Sequence, residues 1–63
     1  MKAQIIARIR ATYPDARIYW EGTPKRATVM IKRPNEPEKY FILDLDEEGV
    51  TVDDVVDTIL AAL

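Results

Sequence analysis

The chain contains no cysteine, no histidine and no serine. Without cysteine there is neither a disulfide nor a thiolate ligand, and the redox compartment stays open. Without histidine the commonest zinc ligand and the side chain best suited to proton transfer near neutral pH are missing. Together these absences remove the usual nucleophile and base pairs, so catalysis would fall to carboxylates, Lys, Thr or Tyr. Glycine is scarce too, at two residues. The stretch Gly22-Thr23-Pro24-Lys25 lacks the glycine spacing of a phosphate-cradling loop, and no helical pattern follows it to lend a positive dipole end. It reads as a hairpin turn. Long apolar runs are also missing: Arg8 and Arg10 interrupt "MKAQIIARIRATY", so the N-terminal stretch reads as neither a secretory signal nor a membrane span. The expected setting is the cytoplasm, or recombinant expression alone.

What is present is a globular composition. Hydrophobic residues make up 48% and charged residues 32%, a balance that predicts a packed core and not a disordered chain. The length of 63 residues reads as a single domain over 1–63. A chain this short buries only about 60% of the surface its unfolded form exposes, so stability rests on well-formed elements.

Residues 2 to 13 place Ile5, Ile6, Ile9 and Tyr13 at helical spacing, with Gln4, Arg8 and Arg10 off that stripe. Pro14 ends the helix by pushing the residue before it out of the helical region, and "YPDA" follows as a turn. Three stretches then alternate with period two: 16–21 (ARIYWE), 26–32 (RATVMIK) and 39–46 (KYFILDLD). They predict three strands, joined by the short, turn-rich connectors "GTPK" and "RPNEPE" as antiparallel hairpins. From 51 to the end, Val52, Val55, Val56, Ile59, Leu60 and Leu63 form one apolar stripe. Thr51 is placed to cap that helix, with Asp54 at the capping-box position and Val50 and Val55 spaced as a hydrophobic staple. Asp53 and Asp54 in the first turn suit the helix dipole.

These elements give an α+β fold of order α-β-β-β-α, a three-stranded antiparallel meander with both helices on one face. The other sheet face is then uncovered. By alternation it displays Arg17, Tyr19, Arg26, Thr28, Met30, Lys32, Tyr40 and Ile42, and these are the candidate binding residues. Tyr19 and Tyr40 can stack bases or pack a protein partner, Met30 and Ile42 add apolar area, and Arg17, Arg26 and Lys32 can meet phosphates. The same residue types also serve strand propensity and solubility on an open face.

Charge is divided along the chain. Residues 1–33 carry a net of +6 and residues 34–63 a net of −8. Such asymmetry suits a nucleic-acid face or an acidic partner surface; it equally suits a basic first helix lying beside an acidic last one. The stretch "DLDEEG" at 44–49 resembles the start of a calcium loop, but the twelfth position is Val55 where a bidentate Glu belongs. No metal site and no cofactor are expected. Asp44 and Asp46 point the same way from one strand, and nothing in the sequence builds a pocket around them.

The element order resembles the double-stranded-RNA-binding domain, and also small toxins of toxin–antitoxin pairs. The RNA-binding family starts its second helix with lysines that clamp phosphates; here those positions are Thr51, Val52, Asp53 and Asp54, which repel them. The toxins depend on a histidine, which this chain lacks. Neither activity carries over. The chain also resembles computationally designed mini-proteins: elements of near-minimal length, clean binary patterning, short loops and a complete start signal on the last helix. The uncapped first helix and the less regular "TPKRATVMIKRPNEP" stretch depart from that pattern. The sequence therefore leads to a non-catalytic, stably folded domain of designed type that requires no partner. The other reading is a small natural regulator that binds a protein or nucleic acid through the open sheet face or the acidic last helix. Self-association through that face or a free edge strand is consistent with either.

Overall fold

The computed structural model describes all 63 residues, in the order α1 (Lys2–Thr12), β1 (Arg17–Gly22), β2 (Arg26–Lys32), β3 (Lys39–Asp44) and α2 (Val52–Ala62). The three strands form one antiparallel sheet of order β1-β2-β3. This is the expected α+β meander.

Register follows the alternation. Trp20 pairs with Val29 and Val29 with Phe41, while Ala27 lies opposite Leu43 and Ile18 opposite Ile31. These side chains form one sheet face. Ile5 and Ile9 of α1 and Val55, Val56 and Ile59 of α2 join Ala16, Ala27, Val29, Ile31 and Leu43 in one buried cluster. Both helices therefore cover the same face. None of the candidate binding residues belongs to that buried cluster.

The helix ends differ. Met1 stands at the N-cap of α1 and gives it no side-chain cap, and the first turn holds no acid; the helix closes through the Tyr13 N–H donating to the Ile9 carbonyl at 2.8 Å. At α2 the Thr51 hydroxyl accepts the Asp54 N–H at 3.1 Å, as the sequence predicts. Val50 and Val55 both pack into the core, Val50 from its edge. The far end of α2 has no basic residue of its own in the last turn. Lys39 supplies one from the start of β3, donating to the Ala62 carbonyl at 2.6 Å, where the helix dipole favours a cation.

Strand ends move by one or two residues. The alternation predicts a first strand over 16–21 and a third over 39–46; the ladder runs Arg17–Gly22 and Lys39–Asp44. Gly22 joins β1 because it pairs with Ala27, leaving Thr23, Pro24 and Lys25 as the turn. Thr23 holds that turn, its N–H donating to the Arg26 carbonyl at 2.9 Å and its hydroxyl accepting the Arg26 N–H at 3.1 Å. The Leu45 N–H still reaches the Lys25 carbonyl at 2.7 Å, one rung beyond the end of β3. The connector after β2 turns through Asn35 at φ 64°, a left-handed value that asparagine tolerates better than most residues.

Candidate binding face

Arg17, Tyr19, Arg26, Thr28, Met30, Lys32, Tyr40 and Ile42 all fall on the sheet face away from the helices, and pairing sorts them into rows. Arg17 lies opposite Lys32 at one end. The next row is Tyr19, Met30 and Tyr40, then Glu21, Thr28 and Ile42, and finally Arg26 opposite Asp44. Tyr19 is 57% exposed, Tyr40 65% and Ile42 67%, with Met30 half-buried between the two tyrosines. An aromatic–methionine–aromatic row thus crosses all three strands, a band against which a planar or apolar group can lie.

The three cations expected on this face do not all sit together. Arg26 occupies the far end of the face, and its Nε lies 3.5 Å from an Asp44 oxygen. Arg17 and Lys32 sit at the opposite end and have no carboxylate at ion-pair distance, the two ion pairs of the protein being Arg8–Asp53 and Arg26–Asp44. There they line a shallow concavity of about 290 Å³ with Asp15, Arg33 and Pro34. Arg33 was not among the expected face residues, because alternation sends its side chain to the helix side of the sheet. At the sheet end that side is open, and the Arg33 guanidinium lies 4.0 Å above the Tyr13 ring. The Lys32 ammonium donates to the Arg33 carbonyl at 2.8 Å, which draws it to the same rim.

One titration on the face is displaced. The Tyr40 hydroxyl donates to Glu38 Oε2 at 3.1 Å. That hydrogen bond, and then the negative charge of Glu38, raise the Tyr40 pKa above its ordinary 10.0. Elsewhere, the acids of "DLDEEG" flank an exposed turn with Gly49 at φ 85°, and no three His, Cys, Asp or Glu side chains gather closely enough to hold a metal ion. No helix is long and apolar enough to cross a membrane.

Fold and face together define a small α+β domain with an open antiparallel sheet. Comparison with protein-family models, with curated proteins and with solved structures yields no match.

Proposed function

We propose that this chain is a non-catalytic αβββα folding unit of designed origin, whose encoded property is the fold itself. The observation that carries this reading is the agreement of local signal with global packing: each strand's alternation and the apolar stripe of α2 point into one core, and Thr51 caps α2 at the start that its position predicts. Sequences selected for a biochemical task usually break such a rule at their site. Unfolding of the isolated chain tests it, followed in parallel by circular dichroism and by Trp20 fluorescence. A single reversible transition with coincident midpoints is expected. A chain that stays unfolded until a partner is added overturns it.

A second reading has an observation of its own, the exposed Tyr19–Met30–Tyr40 row. It makes the chain a small regulator that grips a protein or nucleic acid through the open face. Fluorescence anisotropy against labelled RNA and DNA, with and without Tyr19→Ala, Met30→Ala and Tyr40→Ala combined, tests the nucleic-acid form. Association that is unchanged in the triple variant removes that form.

A further inference from the structure

From the Arg17–Lys32–Arg33 end of the sheet we infer a binding site for the phosphate of a nucleotide whose base stacks on Tyr19. The inference goes beyond both readings above, because a preformed anion site requires neither catalysis nor a natural partner.

Three cations line one concavity of about 290 Å³, and none of them is spent on an ion pair. Two are held in place by contacts that leave donors free. The Arg33 guanidinium carbon lies over the Tyr13 ring at 4.0 Å, a contact that spends none of the guanidinium's N–H donors on a carboxylate. Lys32 uses one of its three donors on the Arg33 carbonyl. Both side chains are half-buried, so less conformational freedom remains to be lost on binding. Asp15 is the one carboxylate that lines the concavity, against three cations, and it makes no ion pair. Glu36 follows Arg33 in the next turn, its N–H donating to the Arg33 carbonyl at 3.2 Å, without an ion pair to any of the three, and Glu38 accepts the Tyr40 hydroxyl.

The base is assigned from the strand geometry. Arg17 and Tyr19 are two residues apart on β1 and project from the same face, roughly 6.8 Å from each other along the strand. That separation matches the reach from a nucleotide's 5′-phosphate to its base. Tyr19 is exposed, so its ring is free to stack. A guanidinium fork and an ammonium at one end, with an exposed ring one row away, recognise a phosphate and a π-face at once. Arg26 is excluded by its position three rows away and by its contact with Asp44.

The test is a titration of the ¹⁵N-labelled chain with adenosine monophosphate, with inorganic phosphate and adenosine as separate arms and a short single-stranded oligoadenylate as the polymeric source. The nucleotide is expected to shift the amides of Arg17, Tyr19, Lys32 and Arg33. Arg17→Glu and Lys32→Glu are each expected to weaken it at least 10-fold, and Tyr19→Ala about 5-fold or more while leaving inorganic phosphate binding unchanged. Arg17→Gln, which keeps a polar outward side chain, separates loss of the site from loss of the fold as judged by circular dichroism. With three cations engaged, oligonucleotide affinity is expected to fall roughly 20-fold between 50 and 200 mM salt. Tighter binding of the oligonucleotide identifies the polymer as the source, and equal binding identifies the free nucleotide; either supports the site. Nucleotide binding no tighter than inorganic phosphate overturns the inference. So do shifts spread over Lys2, Arg10 and Lys25, or an Arg17→Glu variant that binds like the parent.

Discussion

Thr51 carries the start of α2 on one hydroxyl. Four N–H groups at a helix start have no partner within the helix, and the Thr51 side chain satisfies that of Asp54 at 3.1 Å. Thr51→Ala is expected to cost about 1 kcal/mol, lowering the Tm by roughly 4–8 °C in a domain of this size; differential scanning calorimetry reads it. This cap was legible from the sequence because donor and acceptor are three residues apart. The Lys39 contact with the Ala62 carbonyl was not, since only the folded sheet brings positions 23 apart together. Tyr40 gives a second test. Its hydroxyl proton is held by Glu38, so its folded-state pKa is raised above 10.0. The hydrogen bond's contribution is therefore complete below the unfolded value and is lost as pH rises through the folded one. Ultraviolet titration of the tyrosines should show one group titrating late, and Glu38→Gln should bring it back toward the ordinary range. An unchanged titration curve in that variant would show that Glu38 is not the cause.

Elements obey a face rule that two isoleucines can test. Ile59 is fully buried against the sheet, whereas Ile42 projects from the open face at 67% exposure. Removing three carbons at Ile59 leaves a cavity as well as a lost transfer energy, and Ile59→Ala is expected to cost about 2–5 kcal/mol. Ile42→Ala should stay within about 0.5 kcal/mol. Urea midpoints at constant m-value measure both; a large loss at Ile42 would mean that the open face is covered. The β1–β2 hairpin has its own constraint at Gly22. Its φ is +127°, and a Cβ there would meet the Arg26 carbonyl oxygen at 2.5 Å, a backbone atom that cannot swing aside. Gly22→Ala should destabilise by more than about 1 kcal/mol, since both the dihedral and the contact oppose it. Period-two patterning told which face each strand residue takes, but not where pairing stops. Gly22 reads as a turn residue in sequence and sits in the ladder because Ala27 lies opposite it; Leu45 reads as strand and adds only one further bond.

At the scale of the whole molecule, the open face was legible as a set of residues but not as an arrangement. Alternation alone grouped Arg26 with Arg17 and Lys32; register separates them by three rows and brings Arg33 in from the other side at the sheet end. The +6/−8 division of charge finds one cross-helix pair, Arg8 with Asp53 at 2.6 Å, whose side chains are 48% and 76% exposed. A pair so exposed is worth about 0–1 kcal/mol, so the complementary helices steer little of the stability. Three strands about 4.8 Å apart, of six, seven and six residues at about 3.4 Å each, present roughly 300 Å², against the ~800 Å² per partner of a stable interface. Both sheet edges are strands of six residues with charged residues at or next to their ends, Arg17 and Glu21 on β1 and Lys39 and Asp44 on β3. Such edges resist strand pairing between copies. The chain is therefore expected to be a monomer of 7.2 kDa in multi-angle light scattering at about 100 μM, with a radius of gyration near the 11.1 Å of its Cα trace. A doubled mass that Tyr19→Ala and Tyr40→Ala together return to the monomer value would instead place a second copy on the aromatic row, and the nucleotide site would then have to compete with that interface.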